Sequence, residues 1–422
     1  MKVKVNPGLS GLRATVAVAI GNVFEWYDFV VYSYFAVIIA ARFFPAIDET
    51  ASLLAVFATF GVGFIFRPLG AVVIGAIGDR KGRKTALVLT IMLMACGTLL
   101  IGLVPSYETI GIAAPIILVI ARLLQGFSVG GEWGTSIVYI VESAPSGKRA
   151  LYSSFQQVTV VGGLLLGSGI AASLATLLDS ASMQSWGWRV PFLIGALIAP
   201  VGLYMRRNID ETPPYLRHAE VSRATTTRMP VVKTVQAFGI SLVWSVVAYI
   251  FLVYMPTFTE KHAGLSNAAA LWANTLCLSL LMVAIPISGR LSDYVGRKPL
   301  LLAGCVAFMV LPLPLFTLVL ANPSLELVVI AQLLAGLAIA LYLGPAPATI
   351  AEIFGTATRT TYVSTVNGIS VAIFGGFAPF IATWLIAVTG SAVAPMYYVA
   401  ASAAVSALII SSLRETARCE LQ

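Results

Sequence analysis

Long apolar stretches recur along the whole chain, each bounded by charged residues or by Pro and Gly clusters. They fall near residues 13–40, 51–77, 86–104, 112–141, 150–178 and 188–205, and again near 234–258, 268–289, 299–320, 325–351, 361–388 and 393–413. A helix needs about 20 apolar residues to cross hydrocarbon, and each stretch approaches or exceeds that length. The pattern therefore predicts an all-α polytopic membrane protein of twelve transmembrane helices, with no room for a separate soluble domain. One segment breaks the rhythm. Residues 206–233 (RRNIDETPPYLRHAEVSRATTTRMPVVK) form the only long polar connection, and they divide the spans into a first bundle at 1–205 and a second at 234–422.

The halves repeat each other. GAIGDRKGRK at 75–84 returns as GRLSDYVGRK at 289–298, and ESAPSGKR at 142–149 is echoed by EIFGTATR at 352–359. Tandem pseudo-symmetric halves are a transporter signature, because they can rock around a site near the bilayer midplane.

Composition narrows the classes further. The chain is 59% hydrophobic and only 10% charged, whereas soluble domains run near 25% charged. Nucleic-acid binding, extracellular disulfide modules and cytosolic enzymes are poor matches. The net charge of +8 reads as topology: with the N-terminus cytoplasmic, all but five of the 26 Lys and Arg fall on cytoplasmic segments. Three of those five, Arg42, Arg189 and Lys261, lie on the opposite face, and both termini are expected in the cytoplasm. The start of the chain superficially resembles a signal peptide, but Glu25 and Asp28 inside its apolar run argue for a retained first span. Cys96, Cys277, Cys305 and Cys419 have neither disulfide-framework nor metal-ligand spacing. No metal, catalytic or cofactor constellation is visible.

The doubled G-x-x-x-D-x-x-G-R-K pattern resembles the loop motif of the major facilitator superfamily. GNVFEWYDF at 21–29, FRPLGAVVIGAIGDRKGRK at 66–84, ARLLQGFSVGGEWGTS at 121–136, WGWRVPF at 186–192 and RRNIDETP at 206–213 narrow the likeness to its metabolite:proton symporter family. That resemblance implies uptake of carboxylates such as 2-oxoglutarate, citrate or shikimate, or of zwitterions such as proline and betaine, by a monomer in a bacterial inner membrane. It also implies a cytoplasmic latch: Asp79 with Glu142 and Arg149, and Asp293 with Glu352 and Arg359, with Arg83 and Arg297 supplied by the motifs.

Five ionisable groups fall inside spans: Glu25, Asp28, Arg67, Arg122 and Glu132. Each would cost at least about 2.5–3.5 kcal/mol if it faced lipid while ionised, so they must face each other or a cavity. Antiparallel running of the first and fourth spans places Asp28 near Arg122, and Glu25 closer to Arg67 and Glu132. Three acids against two arginines give −1, which repels an anion; protonating one or two acids gives 0 or +1. That arithmetic predicts obligate coupling through Glu25, Asp28 and Glu132, with Arg122, Gln125 and Arg67 meeting a small organic anion. Gln156 and Gln157 on the fifth span are further candidates. The second half has no charge well inside a span, and its candidates are Tyr249, Tyr254, Gln332, Tyr342 and Asn367, supplying hydrogen bonds and shape. GPAPAT at 344–349 and GGFAP at 375–379 mark points where helices kink or loosen.

The expected substrate is a di- or tricarboxylate or an oxo-acid, imported with protons by alternating access. The alternative is a zwitterionic osmolyte. Osmosensing members of the family carry a long C-terminal extension, and the short tail after the last span here favours the anion.

Overall fold

The computed structural model describes residues 7–46, 48–81, 83–129, 132–197, 230–356, 358–417, 419 and 421, excluding some side chains, among them those of Asp79, Arg83 and Glu132. The central polar connection up to Met229, and most of the expected sixth span, lie outside the described residues. The helices that carry the spans are α1 (Pro7–Tyr34, continuing after a 61° bend as Ala36–Phe43), α2 (Glu49–Ile74), α3 (Arg83–Leu103), α4 (Ala113–Ser143) and α5 (Arg149–Leu177). They are followed by α6 (residues 190–197). The second half contains α7 (Val231–His262), α8 (Asn267–Val295), α9 (Arg297–Ala321), α10 (Leu325–Ile353), α11 (Arg359–Thr389) and α12 (Ala394–Ser411). No strand occurs among the described residues, and the fold is that of a multi-pass membrane protein.

Hydrophobicity and burial separate the roles of these helices. The apolar middle of α7 is almost wholly enclosed, as a helical stretch without a polar stripe must be when it sits at the centre of a bundle. α9 and α12 instead leave Val306, Val310 and Leu408 exposed, forming a lipid-facing belt. Two irregular turns lie where α7 and α11 meet. π-helical segments span Tyr249–Tyr254 and Val371–Gly375, and Gly375 lies against the Tyr249 ring. The expected loosening at 375–379 is thus a π-bulge, while α10 is broken by a turn at Gly344 and Pro345.

Within the first half, small residues let backbones touch, since lipid supplies no hydrophobic drive for helices to associate. A Cβ on Gly126 would fall 1.7 Å from the Gly63 carbonyl oxygen, and one on Gly70 would fall 1.8 Å from that of Phe127, so α2 and α4 are in direct contact.

The halves are tied on both faces. On the face that carries the repeated motifs, Asp293 of α8 accepts from the backbone N–H groups of Ala150 (3.1 Å) and Leu151 (3.0 Å) and thereby caps α5 of the other half. Arg359 pairs with Glu142, and Arg149 lies 3.8 Å from Glu352. Arg297 is held by Asp293 at 2.8 Å and by Glu352 at 3.2 Å. This corrects the expected latch, in which Glu142 and Arg149 served the first half and Glu352 and Arg359 the second. The pairs cross between halves because the starts of α5 and α11 each lie beside the other half's acid. The tail adds to the closure: Glu415 accepts from the backbone N–H groups of Arg297 and Lys298, Thr416 donates to Glu352, and Arg149 donates to the Cys419 carbonyl. Burial would raise the Glu415 carboxyl, but donors at Arg297, Ala417, Lys298 and Thr416 outweigh it and hold it below its ordinary value. This contribution is therefore complete above the ordinary carboxylate range and is lost only as pH falls through the folded value.

On the opposite face Asn274 of α8 donates to the Tyr34 hydroxyl of α1 (3.1 Å) and to Ser168 of α5 (3.3 Å). Tyr34 donates to the Leu252 carbonyl in the π-segment of α7 (3.1 Å), and Trp272 donates to Thr176 (3.1 Å).

Two outcomes follow. Gly126→Ala should cost about 3 kcal/mol by forcing backbones apart, read as a lower Tm of the detergent-solubilised protein and a reduced folded yield. Asp293→Asn should loosen the motif face: a reporter cysteine at Ser154, which packs on Gly289, should react with a permeant maleimide about fivefold faster, equivalent to ~1 kcal/mol.

Candidate functional site

The centre of the first half is an arginine pair that shares one ring. The Phe29 centroid lies 4.2 Å from the Arg122 guanidinium carbon and 4.7 Å from that of Arg67. Tyr32 and Phe60 also cover Arg122, at 4.7 and 4.8 Å, while Phe64 and Trp26 flank Arg67 at 4.1 and 5.7 Å. Aromatic faces are negative, so they offset part of the cost of keeping guanidinium groups out of water. Arg122 is fully buried. One of its terminal nitrogens donates to Gln125 Oε1 (2.8 Å) and to the Phe29 carbonyl (3.3 Å); Nε and the other terminal nitrogen have no hydrogen-bond acceptor and sit among the rings. Arg67 is half-buried as a residue, but its Nε is enclosed and has no hydrogen-bond partner.

The acids divide between two faces of α1. Glu25, half-buried, is in electrostatic contact with Arg67 and with Tyr249 of α7, as the sequence reading placed it. Asp28 departs from expectation. Its backbone neighbour Phe29 is at the level of Arg122, but its carboxylate turns away and rests against Gly195 of α6, where the Thr98 methyl of α3 also packs. A Cβ at Gly195 would fall 2.1 Å from Asp28 Oδ1, which has no hydrogen-bond partner. The i,i+3 spacing put Glu25 and Asp28 on one broad face, but the rings of Trp26 and Phe29 occupy the arginine side, leaving Asp28 to the rear. The Glu132 side chain lies outside the described residues.

Gln125 is fully buried, spanning Arg122 and the Thr98 hydroxyl (2.9 Å). It belongs to the support of the pair rather than to a cavity wall. Gln156 and Gln157 are buried on α5 with one polar atom each lacking a partner. From the second half, the Tyr249 ring packs on Trp26, Phe60 and Phe64, and its hydroxyl has no hydrogen-bond partner. It is the second-half candidate that the structure brings to the arginines. Tyr254 is hydrogen-bonded to Thr383 (3.3 Å) and packed on Phe57. Tyr342 donates to the Ile240 carbonyl (2.9 Å) inside the second bundle, and Gln332 lies between α8 and α10, where Cys277 donates to its carbonyl. Tyr342 is thus an interhelical tie, whereas both polar side-chain atoms of Gln332 are buried without a partner; a polar group in an apolar span reads the same whether it faces a neighbour or a cavity. Asn367 is half-buried on α11, with Oδ1 unpartnered. Sequence reasoning missed Phe29 and Thr98. Their only signal was position: a ring beside Asp28, and a hydroxyl in mid-span.

Comparisons with known proteins agree with this architecture. A family model for sugar (and other) transporters matches residues 14–235, and one for the major facilitator superfamily matches residues 261–418. A glycine betaine/proline/ectoine/pipecolic acid transporter of Dickeya dadantii is 33% identical over 97% of this chain and 84% of its own length. A citrate-proton symporter of Klebsiella pneumoniae is 34% identical over 96% of this chain and 92% of its own. In structure, a D-xylose-proton symporter superposes with a TM-score of 0.80 at 19% identity, covering 97% of this chain and 99% of that one. Twofold helical architecture, paired motifs and near full-length similarity lead to one conclusion: the chain belongs to the major facilitator superfamily, with the metabolite:proton symporters.

Proposed function

We propose that the protein imports a small solute carrying one carboxylate together with protons, by rocking of halves 1–205 and 234–422 in a bacterial inner membrane with both termini cytoplasmic. The observation that carries this reading is the inequality of the two arginines. Arg122 is sealed within the first half among rings, Gln125 and the Phe29 carbonyl, whereas Arg67, whose buried Nε has no hydrogen-bond partner, faces Tyr249 across the boundary between halves. One guanidinium at that boundary with an unmet donor suits one carboxylate. Glu25 and the faces of Trp26 and Tyr249 beside it suit a cationic nitrogen. A zwitterion of the betaine or proline kind satisfies both, and the betaine/proline-transporting relatives support it. A di- or tricarboxylate is the second reading, supported by the citrate symporter; it needs Arg122 to be uncovered or the neighbouring acids to be protonated. Asp28 is the proton site in either case: a carboxylate with one unpartnered oxygen, enclosed by α1, α3 and α6, and away from the bound solute.

In proteoliposomes under an imposed proton gradient, betaine or proline should accumulate, while citrate and 2-oxoglutarate should not; the reverse result overturns the zwitterion. Arg67→Lys should raise KM about tenfold or more, a loss of ~1.4 kcal/mol of planar contact. Asp28→Asn should abolish accumulation against the gradient while solute counterflow persists. Accumulation by Asp28→Asn at the wild-type level would remove Asp28 from coupling.

A further inference from the structure

Two indoles meet across the seam between the halves, one from each. Trp133 of α4 and Trp244 of α7 touch edge to face, with ring centroids 5.1 Å apart. The other ring-to-ring contacts between halves among the described residues gather on Tyr249 and Tyr254, and this pair stands apart from them, nearer the motif face. α7 starts at that face, where Gln236 donates to the Ser412 carbonyl at the root of the tail (3.3 Å). Trp244 comes five residues before Tyr249, about 7.5 Å along the helix. On α4, Trp133 precedes Glu142 of the latch by nine residues, about 13.5 Å. The pair therefore lies between the Arg67–Tyr249 position and the ion pairs that close the motif face.

What surrounds the pair is apolar. Trp133 is half-buried and begins an i,i+4,i+8 stripe with Ile137 and Val141, which clusters with Ala150 of α5 and, across the seam, with Ala348 and Ala351 of α10. Its neighbour Gly134 lies against Ser364 of α11, so α4 meets the second half directly. α4 has no charged residue between Trp133 and Glu142, and α7 has none between Trp244 and Lys233. Rocking that opens the motif face has to part the two indoles, and a solute released there has to pass between them. A cationic nitrogen meets no carboxylate on those two stretches; what they offer it is the indole faces, and Trp attracts a cation more strongly than Tyr or Phe does. The attraction between two rings is of the same order as that of an exposed ring for a cation, so one contact can replace the other at little cost.

We propose that Trp133 and Trp244 form a second binding position for a cationic nitrogen, opened when the halves part at the motif face and abolished when the indoles meet again. This deepens the zwitterion reading and rests on it. Trp26, Tyr249 and Glu25 receive the nitrogen at the centre, and the Trp133–Trp244 pair receives it on the way out. Each half contributes one wall of the outer position, so the motif face cannot close on a nitrogen still held there.

The test is the half-saturation constant for betaine read from each side, by counterflow in inside-out and right-side-out membrane vesicles from a host without other betaine uptake. Trp133→Leu and Trp244→Leu keep apolar bulk without an aromatic face, and each should raise the ratio of the cytoplasmic-side to the outer-side constant about fivefold. Trp133→Phe and Trp244→Phe should raise it by less than about twofold. A residue that only packs the seam changes folded yield, or both constants alike, and leaves the ratio where it was; an unchanged ratio in either leucine variant overturns the proposal. Where a leucine variant does not fold, fluorinated tryptophans incorporated at that one position keep the indole shape and weaken its face. The ratio should then climb with the number of fluorines, and a flat series overturns the proposal as well. Wild-type vesicles that exchange citrate and not betaine overturn the zwitterion reading instead, before any variant is compared.

Discussion

Two guanidinium groups in hydrocarbon, both packed on one phenyl ring, set the terms for the first half of the molecule. Neither can be left to lipid, and repulsion between them is strongest where the dielectric is lowest. The rings of Trp26, Phe29, Tyr32, Phe60 and Phe64 answer both demands, supplying negative faces and filling the space that water would otherwise enter. Helix placement follows from this. α2 and α4 must come close enough for Arg67 and Arg122 to share Phe29, and glycine contacts at Gly63, Gly70 and Gly126 make that approach possible.

The second half meets this charged centre with a neutral surface. Tyr249 presents a ring to Phe60 and Phe64 and a hydroxyl to the arginine field, from a π-helical turn that Gly375 leaves room for. π-bulges recur at functional sites because the extra residue frees a carbonyl and turns a side chain. The Leu252 carbonyl in the same π-segment, four residues before Pro256, which has no N–H to donate, accepts from Tyr34. The Tyr249 ring at the arginines and the tie on the face away from the motifs are therefore mounted on one local irregularity. A shift in its register would move both together.

Much of this was legible in the sequence. Twelve apolar runs, one polar interruption and a doubled motif were enough for the fold, because backbone satisfaction in lipid leaves few alternatives. The buried charges were legible for the same reason: Arg67, Arg122, Glu25 and Asp28 stood out against hydrocarbon. Their partners were not. Helical periodicity put Asp28 in reach of Arg122, but the bulk of Phe29 decides which face each group uses, and bulk does not show in a charge pattern. The roles of Gln125 and Tyr342 were misread for a related reason: a polar side chain in a span signals a required partner without saying whether that partner is a neighbouring helix or a solute. In the latch the charged residues were visible, and only their crossing between halves was not, since a repeat reveals equivalence and not contact.

That crossing bears on ancestry. Asp293 completes the first turn of α5, Glu142 of the first half holds Arg359, and Glu352 of the second reaches Arg149. The second-half motif thus finds part of its complement in the first half, and the start of α5 is capped by a side chain of the other copy. A repeat built in this way is coherent as a pair before the copies are joined in one chain. Tandem fusion then adds no new chemistry to the interface; it fixes the stoichiometry and releases each copy to diverge, one toward charge and the other toward shape.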